Sequence, residues 1–184
     1  MTLSSGHVQK VLDFWFVEAG RTKWFAADDG FDAEIRHRFE TLSISLAAQT
    51  KLVPKSADMG LAMIICLDQF PRNMYRGTPA AFAWDQKALA ISEHIVEKGW
   101  DLKLVQNRRN FIYMPYMHAE DLAMQKKSVD LIDRRLDDAN TLFHARAHMK
   151  LIELFGRFPH RNEILGREMT PDERAYLADG GYTP

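Results

Sequence analysis

The stretch LAMIICLDQFPRN, residues 61–73, decides how the rest of the chain is read. Its first half is apolar, with Leu61, Ile64, Ile65 and Leu67 at helical spacing, and Ser56 stands ahead of it as a cap. Its second half sets an acid, an amide, a cation and an asparagine around a Phe-Pro pair. Proline disfavours helical geometry in the residue before it, so the pattern predicts a buried helix ending at Phe70. Arg72 and Asn73 would then satisfy the carbonyls left open at that end.

Outward from this helix the same signals recur. Ser4 or Ser5 can cap a helix whose Val8, Val11, Leu12, Trp15 and Phe16 share a face, with Gly20 as its stop. Asp28 or Asp29 opens a second, with Phe31, Ile35, Phe39, Leu42 and Leu46 inward. Thr78-Pro79 reads as a cap with a first-turn proline, opening a helix to Gly99. Asp101 can cap the following segment, in which Pro115 is a kink or boundary. Helices over roughly 119–137 and 140–155 follow, and TPDE at 170–173 is a capping box. No alternating strand pattern bounded by hairpin turns occurs. The expected fold is all-α, about seven or eight helices in antiparallel pairs forming a single helical domain over residues 1–184.

Composition narrows the function classes. Twenty-four basic against 25 acidic residues leave a net charge of −1, which removes the electrostatic case for broad nucleic-acid or membrane-surface binding. The single cysteine, Cys66, allows no intramolecular disulfide and sits in an apolar run. The amino terminus has no basic start followed by an apolar run, and the expected location is the cytoplasm. Glycine-rich phosphate loops, nucleophile elbows and dinucleotide fingerprints are absent, and no cofactor is expected.

A second Phe-Pro turn, GRFPHRN at 156–162, lies 88 residues beyond the first. Between and beside the two copies, His118, His144, His148 and His160 fall within 43 residues. On a helix starting near 118, His118 and Asp121 would face similar directions, able to share a proton or hold a metal. HARAH puts His144 and His148 one turn apart, but it lacks the glutamate of a metalloprotease helix, so no metal is assigned; His118, Asp121 and His148 form the alternative metal set. The structural reading of these polar turns is mutual satisfaction of buried groups near helix ends.

VLDFWF, KWFAADDGFDAEIRHRF, LDQFPRNMYRGTPAAFAWD, YMPYMHAED and FGRFPHRNEILGR together resemble the bacterial family named domain of unknown function 924, in order and over about residues 8–178. The resemblance implies an all-α fold like tetratricopeptide-repeat superhelices, without their consensus, and no established activity. It maps family motifs onto Asp68 to Asn73, onto Tyr113, Met114, Pro115, His118, Glu120 and Asp121, onto His148, and onto Arg157 to Asn162. His144 falls outside them, and Tyr116 and Ala119 are variants of an expected Phe and Ser.

Two functional expectations follow. In the first, a small anionic ligand is bound by Asp68, Gln69, Arg72, Asn73, Tyr113, Glu120, Asp121, Arg157, Arg161 and Asn162, with His118 or His160 as general acid or base if the protein is an enzyme. In the second, the helices are a protein-interaction scaffold without catalysis, and the polar turns only finish helices.

Overall fold

The computed structural model describes residues 3–183. Among them there are nine α-helical segments and no strand, which bears out the all-α expectation. They are α1 (Ser5–Asp13), α2 (Asp29–Ala47), α3 (Ala57–Ile64), α4 (Phe70–Met74), α5 (Asp85–Glu97), α6 (Gln106–His118), α7 (Leu122–Arg135), α8 (Ala139–Phe155) and α9 (Pro171–Ala178). No described helix is long and apolar enough to cross a membrane. The chain forms two compact units, one up to Pro115 and one from Tyr116 onward.

Local signals placed four of the helix starts. The side chains of Ser4, Asp28, Ser56 and Thr170 each accept a hydrogen bond from an amide in the first turn of the helix that follows. At Thr170 the box is complete, because the Glu173 carboxylate also accepts from the Thr170 amide. Gly20, at φ 64°, closes the first helical run as expected, although that run finishes as a π turn over Phe14–Ala19.

The Phe-Pro signal is read differently by the folded chain. Phe70 is helical, at φ −58° and ψ −40°, and α3 runs into α4 through a π turn over Ile65–Gln69. The Phe70 amide donates to the Ile65 carbonyl, five residues back, so the turn widens by a residue just before the proline. Pro71 follows directly, in the first turn of α4, and the wide turn before it makes room for its ring. The helix therefore does not end at Phe70; one part of the expectation holds, since Arg72 Nη1 donates to the Asp68 carbonyl at 2.6 Å.

Thr78-Pro79 also departs from its reading. Thr78 Oγ1 donates back to the Tyr75 carbonyl, and Pro79–Phe82 is a 3-10 turn ahead of α5. Pro115 lies inside α6, at the junction of the two units.

The first unit is organised around aromatic rings. Phe70 is fully buried, with its ring centroid 4.8 Å from Phe39 and 5.6 Å from Trp15, and Trp15 lies 5.8 Å from Phe111. Each such ring contributes about 1.5–3 kcal/mol by leaving water. In the second unit Leu151, Ile152 and Phe158 form the core, with Phe155, Tyr176 and Tyr182 packed on it. Helices α7 and α8 are joined by Leu136, Asp137 and Asp138, too short a link for any but an antiparallel pair.

Candidate functional site

The first unit takes its polar turn inward. Arg72 forms a two-pronged pair with Asp85, at 2.9 and 3.0 Å, and lies 3.2 Å from Asp68 Oδ1. Burial opposes the charge on this guanidinium, but Asp68 and Asp85 outweigh it and its pKa is raised. Gln69 donates to the Asp68 carboxylate, and its amide also touches Met114 Sδ at 3.4 Å. Asn73 donates to Asp32 Oδ1 at 2.8 Å, and Arg76 donates to both oxygens of the same carboxylate. Burial works against Asp32 as an anion, yet the bonds from Arg76 and Asn73 hold its pKa below the usual value. Tyr113 donates to the buried Asp101 at 2.6 Å. All five expected residues of this unit are thus engaged by neighbours, in three groups: around Asp68 and Asp85, around Asp32, and at Asp101.

The second unit builds a different arrangement on Phe158. Gly156, left-handed at φ 69°, ends α8 and turns the chain, and Pro159–Arg161 forms a 3-10 turn. The Phe158 ring is buried, with the His148 ring 5.5 Å away, His160 5.6 Å away and the Arg161 guanidinium 4.5 Å over its face. His118, the last residue of α6, sets its ring 6.3 Å from His148, and its carbonyl accepts from Arg161 Nη1 at 3.2 Å. Two imidazoles and a guanidinium therefore share one aromatic centre, with the third imidazole, His118, beside His148.

Their protonation follows from the surroundings. His148, 5% exposed, donates from Nδ1 to the His144 carbonyl at 2.8 Å, which leaves its Nε2 as the lone-pair nitrogen. Burial first, and then the neighbouring His118, pushes its pKa down to about 3. Burial and the adjacent Arg161 bring His160 to about 4. Both rings are neutral at pH 7. His160 Nδ1 is enclosed by protein and has no hydrogen-bond partner among the described residues.

The remaining expected residues frame this cluster. Glu120 accepts both prongs of Arg167, at 2.6 and 2.9 Å, and the Phe158 amide at 2.8 Å. Those bonds overcome its burial and lower its pKa. Arg157 is paired twice with the buried Glu173, at 2.6 and 2.8 Å. Asn162 accepts from Arg167 Nε at 2.8 Å and donates to Met169 Sδ.

Asp121 does not face His118. Its carboxylate caps α7 by accepting the Met124 amide at 3.0 Å, while His118 belongs to the preceding helix. Among the described residues no group of three or more His, Cys, Asp or Glu side chains is arranged to hold a metal, so His118, Asp121 and His148 are not brought together as ligands.

Two residues beside these were not among the expected ones. Arg167 ties Glu120, Asn162 and the Phe158 carbonyl together, and only its place at the end of the long FGRFPHRNEILGR motif pointed to it. Tyr182 places its hydroxyl 2.9 Å from His144 Nδ1 and 3.4 Å from His148 Nδ1, and its ring 5.6 Å from His148.

The profile of a family described as a bacterial protein of unknown function (DUF924) matches residues 11–181. A solved structure of a protein of unknown function, ATU0120 from Agrobacterium tumefaciens, is similar at 38% identity and a TM-score of 0.86, covering 96% of this chain and 99% of that one. Comparison with curated proteins returned no match.

Proposed function

Since the chain belongs to the DUF924 family of bacterial proteins, whose description names no activity, we propose from the side-chain geometry alone that its second unit binds a small anionic ligand. His118, His160 and Arg161 make the contacts and His148 backs them. The observation that carries this reading is the enclosed His160 Nδ1 without a partner, beside a guanidinium on the same ring. A buried polar nitrogen left unsatisfied costs about 1–3 kcal/mol, and a ligand oxygen at that position would recover it. His118 and His160 keep part of their surface open, whereas His148 does not, so the outer imidazoles meet the ligand. If the bound molecule reacts, His160 or His118 is the group placed to move a proton.

Titration of the ring-labelled protein with inorganic phosphate and with acetate, followed by histidine NMR, tests this. Saturable shifts at His160 and His148, reduced by His160→Gln, are expected. Rings that stay silent to both anions between pH 5 and 7 would rule the reading out.

A scaffold role is the second reading. Phe143 and Leu154, 61% and 50% exposed, lie eleven residues apart on α8 and so on one side of it. Retention of a stoichiometric protein from a cell extract, abolished by Phe143→Ser and Leu154→Ser, would favour it.

A further inference from the structure

We propose that the first unit carries a separate binding site, for a small molecule that joins an anionic group to an aromatic or other apolar body. The site is a cavity of about 650 Å³ bounded by Lys55, Trp100, Lys103, Leu104, Val105 and Arg108, with Ser56, Ala57 and Asp58 at the start of α3 as its remaining wall. None of these residues belongs to the imidazole cluster, and the site stands whether or not that cluster binds anything.

The wall is built rather than loose. Gly99, at φ 62°, reverses the chain after α5, the Trp100 amide donates to the Ile95 carbonyl at 3.0 Å, and Asp101–Lys103 forms a 3-10 turn. Asp101 is fully buried beneath it and accepts the Tyr113 hydroxyl, while Arg109 donates to the carbonyls of Asp101 and Leu104 at 3.1 and 2.8 Å. These bonds fix where Trp100, Lys103 and Leu104 stand. Trp100 is braced edge-on by His94, at 5.6 Å.

Charge and apolar surface meet on this wall. Three cations face one carboxylate: Arg108 lies 3.7 Å from Asp58, a loose contact, and the ammonium groups of Lys55 and Lys103 have no partner among the described residues. Arg108 is also held over the Phe16 ring at 5.1 Å, which fixes its position. Beside the cations stand half-buried Trp100 and Val105, the latter 65% exposed.

Magnitudes decide the ligand class. Exposed charge pairs contribute at most about 1 kcal/mol each and are screened by salt, so a bare inorganic anion would be held weakly here. The volume falls within the usual range for small-molecule sites, about 300–1,000 Å³, and far exceeds a single anion. Affinity must come from an apolar body against Trp100, Leu104 and Val105, with the cations setting sign and orientation.

Phenyl phosphate, inorganic phosphate and phenol are the probes, followed by tryptophan fluorescence and amide NMR on the full chain. Phenyl phosphate is expected to bind saturably and about ten-fold or more tighter than either fragment, with shifts at Trp100 and Lys103. The double variant Lys55→Ala/Lys103→Ala, whose exposed side chains leave the core untouched, should weaken it by about ten-fold, and His160→Gln should not. Absence of saturable binding overturns the proposal. So does binding that the double lysine variant leaves unchanged, or binding that follows His160→Gln instead.

Discussion

His148 donates from Nδ1 to the carbonyl of His144, one helical turn before it, and this single contact fixes the tautomer of the most deeply buried imidazole. A carbonyl can only accept, so the proton is on Nδ1 and the Nε2 lone pair is turned away from the helix backbone. Nitrogen-15 NMR of the histidine rings should find His148 as the Nδ1–H tautomer and neutral from pH 7 down to at least pH 5. An Nε2–H signal, or titration near pH 6.5, would contradict the assignment.

Acid should loosen the fold through the same residue. Both His148 and His160 have folded-state values lowered from 6.5, to about 3 and about 4. Between those values and 6.5 the unfolded chain binds more protons than the folded one, so stability falls as pH drops through that window. Each tenfold weakening of proton binding on folding is worth about 1.4 kcal/mol of this loss. Glu173, held down to about 2 chiefly by Arg157, adds stability that is present above 4.5 and disappears as pH falls toward 2. Urea midpoints at pH 7, 5.5 and 4.5 check this; for His148→Phe the slope between pH 7 and 5 should be shallower than for the parent.

Arg157 and Glu173 anchor α9, a helix of eight residues. The arginine is partly exposed and the glutamate is 1% exposed, so removing the cation strands a carboxylate that is already inside. Arg157→Ala should destabilise the second unit by more than the loss of an exposed pair does, because the stranded carboxylate is buried. Hydrogen exchange should show residues 171–178 losing protection before the rest of the second unit. Uniform loss, or none, would count against this anchoring role.

Gly181 lets Tyr182 reach the histidines. A Cβ there would run into the Tyr176 ring, whose hydroxyl also accepts the Tyr182 amide at 2.9 Å. Gly181→Ala should release the segment, uncover the edge of His148 and raise its pKa. Tyr182→Phe, which keeps the ring, should leave His148 buried and remove only the hydroxyl contacts with His144 and His148. If the two variants give the same His148 titration, the segment does not shield the ring.

Much of the fold was legible because capping is local. Ser4, Asp28, Ser56 and Thr170 each announce a helix within four residues, and the structure uses all four. Pro71 was misread because the accommodation lies upstream, in the π turn, and no local rule marks a widened turn. His160, Arg161 and His148 were legible as polar residues of a turn and a helix, and the structure packs all three on Phe158. The capping role of Asp121 was not legible, since an acid near a histidine and an acid capping a helix look alike until the helix boundary is known. Arg167 and Tyr182 act across sequence separations of 34 to 47 residues, which periodicity does not report.

The π turn at Ile65–Gln69 has one more consequence. Each residue in an α-helix advances the side-chain direction by about 100°. An extra residue in a single turn therefore resets the reading frame of the helix that follows it. Deleting one residue between 65 and 69 should close the wide turn to an ordinary α turn and leave Phe70 and Arg72 facing as before, while removing the room the turn gives Pro71. The length of the stretch with which the sequence announces itself is thus as much a part of its meaning as its letters.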